Sequence, residues 1–229
     1  MCTVSFVPLD SGNFILTSNR DENPDRVTLE PTIVESGEIV CPKDSQAGGS
    51  WIAMSTSGKV ACLLNGAFKK HEHNPPYSRS RGLIVMEYFS SESAIQFHNK
   101  VNLQGVENFT LLMFENGMVY EFRWDGEEKF FQLKDETDPH IWSSCTLYDE
   151  DTAADKEFKF QDWMEENPKP TEEQISFFHG YKNPEGFLLD LSQVKTVSIT
   201  SVQKIGNKMR MKYHDLLTGP DADQSITLS

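Results

Sequence analysis

The amino-terminal run Met1-Cys2-Thr3-Val4-Ser5-Phe6 is followed by a second run that ends in Asn19-Arg20-Asp21-Glu22. Apolar and polar residues alternate in both runs, and this period of two is typical of β-strands. Between them, Asp10-Ser11-Gly12-Asn13 predicts a hairpin turn. The chain is therefore expected to begin with a β-hairpin whose first strand carries Cys2.

Cys2 would become the first residue of the mature chain if the initiator methionine were removed. It would then carry a nucleophilic thiol and a free α-amine on one residue. A free cysteine thiol has a pKa of about 8.5 and an α-amine one of about 8, so the amine can serve as a local base near neutral pH. Cys2 is thus a candidate catalytic nucleophile. The alternative interpretation is an ordinary small apolar residue on a buried strand.

The length of the first turn decides which residue faces Cys2. A two-residue loop at Ser11-Gly12 would place Cys2 opposite Asp21, and Thr3 opposite Arg20. Cβ atoms of paired residues lie only ~5 Å apart, so the Asp21 carboxylate would hold the terminal ammonium or orient the thiol. Arg20 would then project from the opposite face. A longer loop shifts the register by one residue and exchanges the two roles, and a plain ion pair at the strand end is the alternative.

Composition limits the class of protein. The chain has 229 residues and 38% hydrophobic content, which suits a single domain, predicted over residues 1–220, with 221–229 as a loose C-terminal tail. No apolar segment approaches the ~20 residues of a transmembrane helix and no basic start precedes an apolar stretch, so a cytoplasmic protein is expected.

The charge and the cysteines exclude further classes. A net charge of -14 argues against binding to nucleic acid, which requires a basic surface. The four cysteines, Cys2, Cys41, Cys62 and Cys145, lie far apart and form no CxxC pair. This spacing argues against both a disulfide framework and a zinc site, so no metal and no cofactor is expected.

Secondary-structure signals follow in alternating blocks. A hairpin at Ser57-Gly58 would place Ser50 opposite Asn65, and a later strand meander turns at Asn116-Gly117 and Asp125-Gly126. Helices are predicted from about Leu83, from near Ser91, over 149–166, and from Thr171 with a capping box to Gln174 and an end at Gly180, before a last hairpin at Gly206-Asn207. Short hairpin connections and segregated helix pairs predict an α+β fold with two antiparallel sheets covered by helical layers.

Several motifs, taken in order, resemble one family. They are Met1-Cys2-Thr3, Asn19-Arg20-Asp21-Glu22 with Arg26, Gly48-Gly49-Ser50-Trp51, Ser57-Gly58-Lys59, Leu64-Asn65 and Ser80-Arg81-Gly82. In this order they resemble the NRDE family, also called the transport and Golgi organisation protein 2 family, with a dense match over roughly the first ninety residues. That family is similar to N-terminal-nucleophile hydrolases of the bile-salt hydrolase and penicillin V acylase type, so the resemblance implies their four-layer αββα sandwich.

The same resemblance implies roles for individual residues. Cys2 would be nucleophile and base, Arg20 and Asp21 would support it, and Asn65 would be an oxyanion donor. Adjacent Arg20 and Asp21 in a regular strand point to opposite faces, which departs from the hydrolase pattern. In addition, Ser143-Ser144 stands where relatives tend to have Ser-Asn, which replaces an amide donor by a hydroxyl.

Three further candidates have two interpretations each. Trp51 lines a substrate pocket or belongs to the core. Arg81 clamps a carboxylate or phosphate at a helix start, or it is solvated. His71-Glu72-His73 offers imidazoles to a metal or haem, but beside Lys69 and Lys70 a solvated charge cluster is the favoured interpretation.

Together these observations predict an N-terminal cysteine amidohydrolase that acts on a small amide or acyl substrate. Eukaryotic members of the NRDE family are associated with secretory organisation, haem trafficking and lipid handling. The resemblance therefore leaves open an alternative, a non-catalytic carrier or chaperone for haem or a lipid that uses the same cleft. In either case the expected partner is a small molecule.

Overall fold

The structure is a computed structural model that describes residues 3–34, 37–217 and 219–229. Met1 and Cys2 lie outside the described residues, so no prediction about the position of Cys2 is tested. Within the described ranges, thirteen strands form two sheets and four α-helices accompany them. All pairings within the two sheets are antiparallel.

The first sheet contains both ends of the described chain. Its strands, in spatial order, are β10 (His140–Ser143), β1 (Thr3–Pro8), β2 (Phe14–Glu22), β11 (Lys195–Ile205), β12 (Lys208–Asp215) and β13 (Ala222–Thr227). The predicted pairing of the first two strands is confirmed. Residues 222–227, which lie in the segment expected to be a loose tail, pair with β12 and bury Ile226.

The second sheet is a meander in sequence order. Its strands are β3 (Thr28–Val34), β4 (Ile39–Asp44), β5 (Ile52–Ser55), β6 (Val60–Asn65), β7 (Phe109–Glu115), β8 (Met118–Trp124) and β9 (Lys129–Lys134). The turns predicted at Asn116-Gly117 and at Asp125-Gly126 are confirmed, because each lies between paired strands.

Helices cover the outer face of each sheet. They are α1 (Arg81–Phe89), α2 (Ala94–Lys100), α3 (Glu150–Glu166) and α4 (Glu172–His179). The predicted capping box of Thr171 and Gln174 and the left-handed Gly180 are both present at the ends of α4. Helices α1 and α2 pack on the second sheet, and α3 and α4 on the first.

The sheets meet face to face over the main core. Val4, Phe6 and Leu16 of the first sheet pack against residues such as Cys62 and Leu112 of the second. Alternate residues of β1, among them Val7, face the α3–α4 layer instead. The order helix, sheet, sheet, helix confirms the predicted four-layer αββα sandwich.

The register of the first hairpin differs from the two-residue expectation. Thr3 pairs with Asn19, so the prediction that Thr3 lies opposite Arg20 is wrong. The cause is a longer loop: Pro8 pairs with Phe14, and the intervening turn runs from Leu9 to Asn13 with Ser11 at a φ of 62°. A change of one residue exchanges the faces of all later side chains.

The second hairpin shows the same kind of error. Ile52 pairs with Cys62 and Ala53 with Ala61, a register that does not place Ser50 opposite Asn65 as predicted. The turn runs over residues 56–58, between Ser55 and Lys59, and Gly58 has a φ of 82°. Three-residue hairpin loops commonly end in such a left-handed residue.

Candidate functional site

Arg20 lies between the two sheets, on the face of β2 that it shares with Leu16. It is only 2% exposed, and its Nη2 lies 2.8 Å from Oδ2 of Asp44 in the opposite sheet. Its Nη1 donates a 2.7 Å hydrogen bond to the Thr28 hydroxyl, and its guanidinium carbon lies 4.6 Å from the centroid of the Trp51 ring. Burial lowers the pKa of Arg20, and the carboxylates of Glu22 and Asp44 oppose this effect.

Asp44 is the anion that compensates this buried charge. Its Oδ1 accepts backbone hydrogen bonds from Gln46 and Ala47, and its Oδ2 also lies 2.6 Å from Nε of Arg26. Burial alone would raise the pKa of Asp44. The hydrogen bond from Ala47 and the positive charges of Arg26 and Arg20 together lower it by more, so the pKa of Asp44 lies below its ordinary value. Sequence reasoning missed Asp44, because a carboxylate at a strand end carries no signal of its partner.

The separate motifs of the sequence converge on one small cavity of about 70 Å³. Arg20, Trp51, Asn65 and Arg81, all predicted as site residues, line it together. Gly49 belongs to the same wall, and a Cβ built on it would lie 2.4 Å from the carbonyl carbon of Gly82. Only glycine allows the two backbone segments to approach so closely.

Asp21 points away from this cavity, toward the α3–α4 layer. Its Oδ1 accepts a hydrogen bond from the Thr196 hydroxyl, and its Oδ2 accepts one of 3.2 Å from the Tyr148 hydroxyl. The register therefore gives Arg20, and not Asp21, to the inter-sheet face, which is the outcome expected for the longer loop. Arg20 and Asp21 still stand beside the start of β1, one on each side of the sheet.

Lys156 reaches the start of β1 from α3. Lys156 is only 7% exposed, and its Nζ donates a 2.7 Å hydrogen bond to Oγ1 of Thr3. The same ammonium lies 3.4 Å from the centroid of the Tyr148 ring. Sequence reasoning missed Lys156, because it stands among charged neighbours on a helix that looks solvated on that face.

Asn19 fixes α4 to the sheet. Its Oδ1 lies 2.6 Å from Nδ1 of His179, and its amide nitrogen donates to the backbone oxygens of His179 and Phe187. Nε2 of His179 lies 2.7 Å from the Ser5 hydroxyl. An amide oxygen only accepts, so Nδ1 carries the proton and Ser5 donates to Nε2. Asn19, Ser5 and His179 are each 0% exposed, so this serine–histidine pair has no access to a substrate.

Asn65 ends β6 and is half-buried at the rim of the cavity. Its backbone oxygen accepts a 2.7 Å hydrogen bond from the hydroxyl of Ser144, which is 1% exposed. Ser144 therefore holds the backbone of Asn65 and does not take the place of a second amide donor. That the Asn65 amide points toward Cys2 stays a prediction, because Cys2 lies outside the described residues.

Trp51 combines the two interpretations given to it, whereas Arg81 is mostly buried and paired within the protein, so the solvated interpretation does not hold. Trp51 is 2% exposed and belongs to the main core, yet its ring also forms a wall of the cavity. Arg81 is held by Glu107 at 3.1 Å and by the backbone oxygen of Asn108, and burial lowers its pKa. Glu107 also lies 3.2 Å from both His71 and His73.

A larger cavity of about 320 Å³ adjoins the start of β1. Ser143, which pairs with Thr3, lines it, as does Tyr148, whose hydroxyl reaches Asp21. Phe68 and Trp142 supply aromatic walls. Its volume is within the range of small-molecule sites, which is about 300–1,000 Å³.

Comparisons with known proteins agree with the motif pattern. A family model described as Transport and Golgi organisation 2 matches residues 1–176. A mouse protein named Transport and Golgi organization 2 homolog is 30% identical over 116 residues, which cover 46% of this chain and 41% of that protein. The match thus spans less than half the length of the mouse relative.

Solved structures with the same architecture are distant in sequence. The Caenorhabditis elegans ortholog of N-acylethanolamine-hydrolyzing acid amidase superposes with a TM-score of 0.61 at 10% identity, over 87% of this chain and 92% of its own. Two variants of conjugated bile acid hydrolase from Clostridium perfringens give TM-scores of 0.58 and 0.60 at 10% and 9% identity, over 98% and 97% of this chain and 92% of each of theirs. These likenesses show an N-terminal-nucleophile hydrolase fold. In the described residues, no helix is long and apolar enough to cross a bilayer.

Proposed function

Because the chain belongs to the Transport and Golgi organisation 2 family and has the fold of the N-terminal-nucleophile hydrolases, we propose that it hydrolyses a small amide or acyl compound through the thiol of Cys2. One observation carries the proposal. Arg20, Trp51, Asn65 and Arg81 come from four separate segments and line one cavity at the end of the sandwich where β1 begins. The 320 Å³ cavity beside Ser143 gives room for a substrate at the same end.

The proposed reaction requires removal of Met1. The free α-amine of Cys2 then accepts the thiol proton while sulfur attacks the carbonyl carbon, and negative charge forms on the carbonyl oxygen. Collapse of this intermediate breaks the C–N bond, and the amine leaves with the proton from the α-ammonium. Water then attacks the thioester, giving the carboxylic acid and the free thiol.

The structure supports different tasks for the neighbouring residues. The side-chain amide of Asn65 would donate a hydrogen bond to the oxyanion. Arg20 is held by Asp44 and Thr28, so its guanidinium would act as a fixed positive charge and not as a mobile group. Asp21 would act from the other face of β2, through its bonds to Tyr148 and Thr196.

A panel of acyl amides tests the proposal. Purified protein, shown by intact mass to lack Met1, is expected to release amine and acid from at least one member of the panel. Cys2→Ala should abolish release, because no other residue supplies both the nucleophile and the base. Cys41→Ala is the matched control: it removes a buried thiol from the core between the second sheet and helices α1 and α2, away from both cavities, and release should continue.

The same preparation distinguishes the carrier hypothesis. Haemin and a fatty acid are titrated into the protein, and the haem absorption spectrum and lipid retention are recorded. Saturable binding of either ligand, with no product from any amide and no effect of Cys2→Ala, would replace the hydrolase with the carrier.

A further inference from the structure

Three phenylalanines line a cavity of about 330 Å³ at the end of the sandwich where the first hairpin turns, here called the turn-end cavity. The ring centroids of Phe6 and Phe114 lie 5.0 Å apart and those of Phe14 and Phe114 lie 5.4 Å apart, and both pairs are stacked at an interplanar angle of 24°. Gly12 of the first turn also lines the cavity. The turn-end cavity is therefore at the opposite end of β1 from Thr3, away from the proposed catalytic site.

The side walls of the turn-end cavity are apolar as well. Val119 is 2% exposed, and Met118 and Leu228 are half-buried. Apolar walls in contact with water favour a ligand that displaces that water. The volume lies at the lower end of the range for small-molecule sites, which is about 300–1,000 Å³. The cavity therefore suits a compact apolar group, such as a fused aromatic ring system, and not a long cofactor.

Lys204 brings a positive charge to this apolar cavity. It follows Val202 of the main core by two residues on β11, so both side chains project from the inter-sheet face of the strand. Lys204 is half-buried, and its Nζ donates a 3.1 Å hydrogen bond to the Gly12 carbonyl. Among the residues that the structure describes, no carboxylate forms an ion pair with Lys204, although the chain has 35 acidic residues against 21 basic ones. The ammonium thus keeps donors for an anion.

Glu136 is the acidic side chain at the rim of the turn-end cavity. It is exposed, so its charge is solvated and screened, and its side chain is free to turn toward water. Lys204 is held by Gly12 and cannot turn away in the same manner without losing that bond. The fixed positive charge, and not the exposed negative one, therefore determines the sign of the ligand that fits.

We propose that the turn-end cavity binds a planar aromatic carboxylate, with its ring against the three phenylalanines and its carboxylate on Nζ of Lys204. Aromatic rings gain from offset-stacked and edge-to-face contacts beyond the burial of apolar area, so a ring is preferred to an aliphatic chain of similar size. A carboxylate forms a charge-assisted hydrogen bond with an ammonium, which is stronger than a bond between neutral groups. The site goes beyond the proposed hydrolysis and does not depend on Cys2.

Isothermal titration calorimetry with naphthoate at pH 7 tests the proposal. Naphthamide has nearly the same shape without the charge, and octanoate has the charge without the ring. Naphthoate is expected to bind saturably at one site and about tenfold more tightly than naphthamide, as one charge-assisted hydrogen bond predicts. An absence of naphthoate binding, or equal affinities for naphthoate and naphthamide, would overturn the proposal. Tighter binding of octanoate than of naphthoate would contradict the preference for a ring.

Lysine variants test the contact with the carboxylate. Lys204→Met should lower the affinity for naphthoate to that for naphthamide, whereas Lys204→Arg keeps the charge and should retain the difference. Lys208→Met is the matched control, because it removes an exposed lysine of the same hairpin that does not line the turn-end cavity, and naphthoate should bind as in wild type. Undiminished naphthoate binding by Lys204→Met would show that Lys204 does not hold the carboxylate.

Filling the turn-end cavity tests where the ligand binds. Met118→Trp places a larger side chain on one wall and should abolish naphthoate binding while the protein remains folded, as judged by circular dichroism. Leu228→Trp fills the cavity from another wall and serves if Met118→Trp does not fold. Wild-type affinity in a folded variant with a filled cavity would mean that naphthoate binds elsewhere, and the site would be rejected.

Discussion

His179 is a neutral imidazole that accepts a hydrogen bond from Ser5 and donates one to Asn19. Because burial and Lys156 lower its pKa to about 3, the folded state does not take up a proton at pH values where the unfolded chain does. Between about pH 6.5 and pH 3 the unfolded state binds more protons, so stability rises with pH and falls on acidification. The hydrogen bonds of His179 to Asn19 and Ser5 thus make α4 sensitive to acid.

His179→Gln is expected to be less stable than wild type at pH 7 but to have a weaker dependence on pH. The wild-type protein should lose about 3 kcal/mol from this group between pH 6.5 and pH 4, at about 1.4 kcal/mol for each pH unit. The measurement is the free energy of urea unfolding at a series of pH values for both proteins. His98→Gln, at a more exposed position on α2, is the control for loss of an imidazole and should cost less stability at pH 7 than His179→Gln. Equal slopes for wild type and His179→Gln would contradict the prediction.

Single residues differed in how far the sequence predicted them. Arg20, Trp51, Asn65 and Arg81 were named from motifs, and they do line one cavity. Asp44 and Lys156 were not, because their importance comes from a partner distant in the chain: Arg20 for Asp44 and Thr3 for Lys156. A charged residue in a polar sequence context gives no sign that folding will bury it.

Strand register depended on the type of turn. At Asn116-Gly117 and Gly206-Asn207 the residues predicted as turns are the two-residue loops between paired strands. At Ser11-Gly12 and Ser57-Gly58 the loops are longer, with turns that run from Leu9 to Asn13 and over residues 56–58. Local sequence therefore located each of these turns but did not fix its length.

Some strands were not predicted from their own sequence. β3 and β4 contain Pro31 and Pro42, and proline within a strand removes a ladder hydrogen bond and argues against the assignment. β13 has only Ala222 and Ile226 as apolar residues, so it lacks a clear apolar alternation. These strands form because neighbouring strands offer an edge to pair with, which is tertiary information.

Ile226→Ala tests whether β13 contributes to stability. Ile226 is 8% exposed, pairs with Met209 and belongs to the main core. Its truncation is expected to lower the free energy of unfolding by about 2–4 kcal/mol, as for other buried isoleucines. Thr227→Ala, at the exposed neighbouring position, should change stability by less than about 0.5 kcal/mol. Denaturant unfolding of both variants gives the comparison, and equal stabilities would mean that the segment is loose in solution.

On the scale of the whole molecule, the layer order was predictable and the contact between the sheets was not. Two segregated helix pairs and short hairpin connections predicted two antiparallel sheets covered by helical layers, and the family resemblance implied the αββα order. The way in which one sheet meets the other at the site depends on Arg20 of β2 and Asp44 of β4, whose ion pair spans the sheets. The ring of Trp51 packs against the same guanidinium of Arg20.

Asp44→Asn is expected to weaken the whole sandwich at this end. The substitution keeps an oxygen for the backbone donors of Gln46 and Ala47 but leaves the buried guanidinium of Arg20 without its nearest anion. Breaking a buried pair from one side typically costs about 3–5 kcal/mol, since the remaining charge stays desolvated. Asp223→Asn removes one partner of the exposed Arg210–Asp223 pair and should cost less than about 1 kcal/mol.

The stability cost of Asp44→Asn is also expected to depend on pH. Because the pKa of Asp44 is lowered in the folded state, its contribution is present above the ordinary carboxyl pKa and is lost as the pH falls through the folded value. Wild type and Asp44→Asn should therefore differ most near neutral pH and approach each other in strong acid. Urea unfolding at pH 7 and at pH 3 measures both differences. A cost at pH 7 no larger than that of Asp223→Asn would mean that the ion pair between the sheets does not hold this end of the molecule together.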